Sequence, residues 1–196
     1  MPDLVKSIFE GVRRTQEIIG SLRIYSRMDS TITDKKDIHE LIHGALQILK
    51  SRYKKEIQLK TSFSSVPLVT INSGKIIQVL VNIVSNAIDA IMEKGGDDTG
   101  VISIKTGIRE VDGINYVVVD ITDNGTGIPE AIKGKVLDPF FTTKDVGQGT
   151  GLGLSISIGI VREHKGMIEI ESNADEGTIV SVFLPVDEKD MKNNAQ

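Results

Sequence analysis

Apolar residues recur at helical spacing in some stretches of the chain and at strand spacing in others. Leu4, Ile8, Val12, Ile18, Leu22, Tyr25 and Met28, with Thr15 in line, step by three or four. That spacing predicts one amphipathic helix over 3–28 whose stripe has no partner in its own segment. A run rich in Ser, Thr, Asp and Lys from Asp29 to Asp37 breaks the pattern, so 1–30 and 38–186 read as separate units joined by a linker at 31–37. A second helix is expected over about 38–51. A third spans Gly74–Glu93, where Ile76, Ile77, Leu80, Ile83, Val84, Ala87, Ile88 and Ile91 recur. A fourth covers about 151–164. β-Branched runs bounded by turn residues predict strands near 55–63, 67–71, 101–109, 114–122, 166–172 and 178–184. The tail 187–196 is polar and reads as disordered. Strands grouped against helices suggest a two-layer α+β sandwich.

Composition narrows this little. The chain has 196 residues, one to two domains' worth, and 39% hydrophobic residues, enough for a core. A net charge of −4 gives no reason to expect nucleic-acid binding. Without cysteine there is no disulfide, thiolate metal site or cysteine nucleophile. No apolar run approaches 18 residues and the N-terminus is not a signal peptide, so no membrane span is expected in this segment. The expected location is cytoplasmic, within a parent protein that is free to be membrane-anchored.

The chemistry concentrates in three clusters. In Asp145-Val-Gly-Gln-Gly-Thr-Gly-Leu-Gly-Leu154, glycines fall at 147, 149, 151 and 153 just before the fourth helix. A glycine loop running into a helix N-terminus directs unpaired N–H groups at one spot and reads as a polyphosphate grip. Neither the Rossmann nor the P-loop register fits. Asp123-Asn-Gly-Thr-Gly-Ile128 leaves the strand near 114–122. An ionised carboxylate there only accepts hydrogen bonds, which suits an amino donor such as adenine N6; the bland alternative is a hairpin turn. In the third helix Asn82 and Asn86 lie four apart on one face, with Asp89 nearby. Their oxygens are hard ligands suited to Mg²⁺.

Asn82…Asn86-Ala87, Asp123-x-Gly125-x-Gly127, Pro139-Phe-Phe-Thr-Thr-Lys144 and Gly149-x-Gly151-Leu-Gly153-Leu154 resemble, in order, the N, first G, F and second G boxes of bacterial sensor histidine kinases. Gly177-Thr178 to Pro185 resembles that family's last strand. The resemblance covers about 37–186 and implies the Bergerat ATP-binding fold of the GHKL superfamily, a mixed sheet on about three helices. It implies that Asp123 accepts from adenine N6 with Thr178 helping through water, and that Gly125 and Gly127 let the base approach, beside Ile128. It implies that Asn86, with Asn82, binds Mg²⁺. Residues 140–150 become an ATP lid anchored by Phe140 and Phe141, with Thr143 and Lys144 near the nucleotide and Lys144 reaching a phosphate. Gly149, Thr150, Gly151, Leu152, Gly153 and Leu154 become the phosphate grip. Asn82 and Lys144 are the expected catalytic residues. Asp89 stands where many of these kinases carry a basic residue, which puts phosphate contact from that position in doubt.

The helix over 3–28, particularly Leu22-Arg-Ile-Tyr-Ser-Arg27, resembles the second helix of the family's dimerisation and phosphotransfer bundle; the alternative is a helix folded back onto the domain. The family's acceptor histidine lies on the first bundle helix, which does not precede it here. Implied partners are thus a separately supplied phosphoacceptor helix and a downstream response regulator, with no nucleic acid and no membrane, and a monomeric or weakly dimeric chain. The histidines are His39, His43 and His164. His39-Glu-Leu-Ile-His43 matches a zinc-protease motif formally but lacks a nearby third ligand, and His39-Glu40 follows the bundle helix where an acceptor would precede it. An EF-hand match at 120–131 lacks key ligands. Two competing readings remain. A Bergerat-fold ATPase would carry a water-activating Glu where Asn82 stands. An anti-sigma-type module would hold ATP and phosphorylate serine.

Overall fold

The computed structural model describes residues 33–53, 57–95, 99–144 and 149–193. The helix expected over 3–28 lies outside them. Among the described residues the order is β1 (Asp34–Lys36), α1 (Ile38–Tyr53), β2 (Ile57–Phe63), β3 (Val69–Ile71), α2 (Ser73–Lys94), β4 (Gly100–Val111), β5 (Ile114–Asp123), α3 (Glu130–Lys133), α4 (Gly153–Glu163), β6 (Met167–Asn173), β7 (Gly177–Pro185) and α5 (Glu188–Asn193).

β2, β4, β5, β7 and β6 form one sheet in that order, with β2 parallel to β4 and the other pairs antiparallel. The result is the expected mixed sheet in an α+β sandwich. Alternation along β5 sends Val117, Val119, Ile121 and Asp123 toward the helices. Tyr116 and Val118 join Phe183 in a small cluster on the other face. The β4–β5 hairpin turns on Asp112-Gly113, both at positive φ (51° and 78°), the backbone that a tight two-residue hairpin requires.

α2 is the central helix. Asn72 caps it, its Oδ1 accepting from Lys75 N–H at 3.1 Å, and Gly95 at φ 57° ends it. Ile76, Val79, Leu80, Ile83, Val84, Ala87 and Ile88 are buried against the sheet and neighbouring helices. Asn82, Asn86 and Asp89 face a cleft instead. By length and mean hydropathy α2 alone among the described helices could cross a membrane, at 22 residues. Its apolar face, however, is part of the core.

Two expectations at the ends need correction. Within the expected linker, Asp34–Lys36 pairs with β3 as a small antiparallel sheet. Within the expected disordered tail, Glu188–Asn193 is helical. The charges that suggested solvation are used as ties: Lys35 Nζ donates to Asp190 at 2.6 Å and Thr70 Oγ1 to Asp187 at 3.2 Å. Val186 is buried and Met191 packs on the core.

Candidate nucleotide-binding cleft

A cleft of about 970 Å³ opens between α2, the end of β5, the turn after it and the segment leading into α4. At one end Asp123 closes β5 and is 7% exposed. Its Oδ1 accepts from Gly125 N–H at 2.9 Å. Burial raises its pKa above the ordinary 3.8, opposed by the backbone N–H groups of Gly125 and Thr178 and the nearby Lys94 charge. Thr178 faces Asp123 across the β5–β7 ladder. Ser172 Oγ organises the neighbourhood: it accepts from Ile128 N–H at 2.8 Å, donates to Gly177 O at 2.9 Å, and meets Thr178 Oγ1 at 2.9 Å. With Ser172's single proton committed to Gly177, Thr178 is the donor in that last bond, and its hydroxyl lone pairs stay open to a ligand or water.

The glycines of this turn have a packing reason that the sequence did not suggest. A Cβ on Gly125 would lie 2.6 Å from the Ala90 backbone, and one on Gly127 would lie 1.9 Å from Asn173 O. Gly127 also sits at φ 65°. Both glycines let the turn press against α2 and the β6–β7 hairpin. Thr126 N–H donates to Ala90 O, and the Thr126 carbonyl accepts from Asp175 N–H. Lys94 Nζ binds Asn124 O and Asp175 O, and the Asn124 side chain ties to Thr99 and Val101.

At the other end, Asn86 is exposed and its side chain has no partner among the described residues. Asn82 donates its amide to Gly153 O at 3.1 Å and Ser157 Oγ at 3.3 Å, fixing the start of α4 against α2. Asp89 takes two cations, Arg52 through Oδ1 and Lys144 through Oδ2 at 2.5 Å. The glycine run is used for packing here too. Gly151 is at φ 64° with its absent Cβ against the Phe140 carbonyl, and Phe140 N–H donates to Gly151 O at 2.9 Å. Phe140 itself has φ 69° and is 71% exposed. Phe141 lines the cleft, so only one of the two expected apolar anchors faces it.

Of the residues expected at the site, Asn82, Asn86, Asp89, Asp123, Gly127, Ile128, Thr143, Lys144, Gly149, Thr150, Gly151, Gly153, Leu154 and Thr178 line the cleft. Gly125, Phe140 and Leu152 do not line it. Sequence reasoning missed Arg52, Lys94 and Ser172. Arg52 ends an ordinary amphipathic helix and carries no motif. A basic residue at a helix C-terminus reads as dipole complementation, and nothing local reveals that α1 delivers it to α2.

The histidines are structural or peripheral. His39 Nε2 is 2.9 Å from buried Thr106 Oγ1, and Asp37 lies at its Nδ1. His164 Nε2 accepts Asn72 N–H while Nδ1 donates to Ile160 O. His43 is exposed, edge-on to Phe63. Among the described residues no three His, Cys, Asp or Glu side chains cluster as a metal site.

A mixed sheet on one layer of helices, with a buried carboxylate at one end of a cleft and paired asparagines and cations at the other, defines an ATP-binding α+β domain. Residues 71–188 match the family described as "Histidine kinase-, DNA gyrase B-, and HSP90-like ATPase", and the chain belongs to that family. It is 33% identical to the sensor kinase CckA of Brucella abortus (strain 2308) over 94% of its own length and 20% of CckA. It is 29% identical to the sensory histidine kinase/phosphatase NtrB of Azospirillum brasilense over 97% of itself and 49% of NtrB. The solved catalytic domain of histidine kinase ThkA superposes with a TM-score of 0.66 at 32% identity, covering 79% of this chain and 96% of that one. The chain spans a fifth to a half of these curated relatives, and its domain is the ATP-binding kinase domain of sensor histidine kinases.

Proposed function

We propose that this domain transfers the γ-phosphoryl group of ATP to a histidine presented by a separate phosphoacceptor helix, which then serves a response regulator. The observation that carries the reading is the role of Asn82. In a hydrolase that position would supply a base. Here a neutral amide stands there, and its N–H₂ is spent on Gly153 and Ser157. With no base to activate water at that position, the cleft is built to position the triphosphate for another nucleophile. A serine-phosphorylating module would share the pocket; the sensor-kinase relatives favour histidine.

Asp123 accepts from the adenine amino group, with the Thr178 hydroxyl beside it. Asn86 offers its amide oxygen, and the Asn82 oxygen remains free to accept. Two neutral oxygens cannot hold Mg²⁺ alone, but they suit a cation that arrives with the triphosphate and keeps phosphate and water ligands. Mg²⁺ would neutralise phosphate charge there. Lys144 contributes a cation from the segment before the glycine run. In the transfer, the acceptor Nε2 lone pair forms the N–P bond as the bond from Pγ to the bridging oxygen breaks, and ADP leaves with that electron pair.

Two of the chain's three histidines are poor acceptors. Nε2 of His39 faces Thr106, and both nitrogens of His164 are engaged. Incubated alone with γ-labelled ATP, the chain should stay unlabelled; with a phosphotransfer bundle from the same parent, the bundle should gain acid-labile label. Stoichiometric label on His39 or His43 of the chain alone would overturn the reading. We further infer a cytoplasmic location for this domain, and a monomer or weak dimer.

A further inference from the structure

Arg52 ends α1, yet its guanidinium lies along the cleft face of α2. NH1 donates to Ser85 Oγ at 2.5 Å and NH2 to Asp89 Oδ1, residues four apart that flank Asn86. Two of its five N–H donors are thus spent on α2 and three remain. Two contacts on one helix fix the orientation of the planar fork, which a single ion pair would not do. Asp89 meanwhile holds Lys144 through its second oxygen at 2.5 Å. Two cations share one carboxylate, so the trio carries a net positive charge at the Asn86 end of the cleft. All three groups are partly exposed, at 39%, 27% and 30% for the side chains of Arg52, Asp89 and Lys144. A ligand can therefore reach them.

We propose that Arg52 is a polyphosphate-binding residue of this cleft and that Asp89 is its positioning counter-ion, which competes with the polyphosphate for Lys144. This rests on the nucleotide reading above and adds to it a residue from outside the motif-bearing segments. Arg52 is doubly held, so it contacts phosphate oxygens through its remaining N–H groups without leaving α2. Lys144 is a single point charge on a flexible stem, so it can exchange the carboxylate for a phosphate. Asp89 then does two opposed things. It aims Arg52, and it places a negative charge beside incoming phosphates. An asparagine at that position keeps an oxygen for Arg52 and removes the charge.

The test is a calorimetric ligand series on the full chain, with adenosine, ADP and ATP, each with and without Mg²⁺. Arg52→Met should weaken ATP by about tenfold, ADP by less, and leave adenosine within about twofold. Arg52→Lys should fall between, because it keeps the charge and loses the fork. Asp89→Asn should tighten ATP several-fold while adenosine is unchanged, and the gain should shrink in the Arg52→Met background. Equal weakening of all three ligands by Arg52→Met would mean a structural role and overturn the proposal, as would no effect on ATP. Weaker ATP binding by Asp89→Asn would overturn the counter-ion role. If the unmodified chain binds adenosine and ATP equally weakly, the nucleotide reading fails instead. Thermal melts of each variant separate misfolding from lost contacts.

Discussion

The two ends of the cleft are built on opposite principles. At the Asp123 end the polar groups are buried and already engaged. Asp123 is held by Gly125 N–H, Ser172 by Ile128 N–H, Gly177 O and Thr178 Oγ1, and the turn itself by Ala90 and Lys94. At the Asn86 end the groups are partly exposed: Arg52 is held to α2 with donors to spare, and Lys144 by an ion pair that a charged ligand can replace. A neutral heterocycle carries few polar atoms, so it is distinguished by fixed, desolvated partners whose loss is costly. A polyphosphate carries charge wherever it sits, so one fixed and one exchangeable cation suffice, and the exchangeable one lets it leave. Glycine marks both ends, but at Gly125, Gly127 and Gly151 it serves contact between protein backbones.

If the Asp123 end is rigid by packing, the largest effect should come from filling that packing. Gly127→Ala combines strain at φ 65° with a Cβ 1.9 Å from Asn173 O. The expected loss of stability is about 2–5 kcal/mol, from backbone strain plus overpacking. Gly153→Ala, whose Cβ would meet only Asn82 at 3.7 Å, should cost far less, at most about 1 kcal/mol. Chemical denaturation of both variants checks the contrast, and equal losses would erase it.

Next in size is the carboxylate. Asp123→Ala should weaken ATP and adenosine alike, by about 1–3 kcal/mol. Lys144→Ala should weaken ATP by less and adenosine not at all, because an exposed pair contributes only about 0–1 kcal/mol. Calorimetry on the two variants with both ligands gives the answer. An Asp123 effect confined to ATP would place Asp123 at the wrong end.

Acid should act on one end before the other. Burial raises the Asp123 pKa, so the group is protonated at higher pH than an ordinary aspartate. The ionised form is the acceptor, so adenosine affinity should fall as pH drops through that raised value. The sign for stability is opposite. A carboxyl with a raised folded-state pKa disfavours folding while ionised and is relieved as pH falls toward 3.8. A titration of adenosine affinity against pH, repeated on Asp123→Asn, should show the dependence only in the unmodified chain.

The same contrast explains what was legible in the sequence. Asp123, Asn86 and the helix carrying Asn82 were readable because a strand-to-turn carboxylate and an i, i+4 amide pair are local patterns. The sheet was readable because β-branched runs are local too. Arg52 was not, because its partners Ser85 and Asp89 lie 33 and 37 residues away. Phe140 was expected as an anchor only through the family resemblance, and in the structure it is 71% exposed on a backbone at φ 69°. The 34–36 strand and the 188–193 helix were invisible for a shared reason. They are charged segments whose order comes from tertiary pairs such as Lys35 with Asp190, and composition cannot register those.

The smallest expected effect is the sharpest test of how the Asp123 end is tuned. Lys94 Nζ donates to Asn124 O and Asp175 O, and its charge is one of the influences that hold the Asp123 pKa down. Lys94→Met removes both. The lost hydrogen bonds are exposed ones to a charged group, so adenosine affinity should fall by no more than a few-fold. The pH at which binding is lost should move upward, because the opposing charge is gone while burial remains. Lys94→Arg keeps the charge and should leave that midpoint where it was. A uniform weakening by Lys94→Met at every pH, with the midpoint unmoved, would mean that Lys94 only ties two loops together and that the backbone N–H groups alone oppose the effect of burial on Asp123.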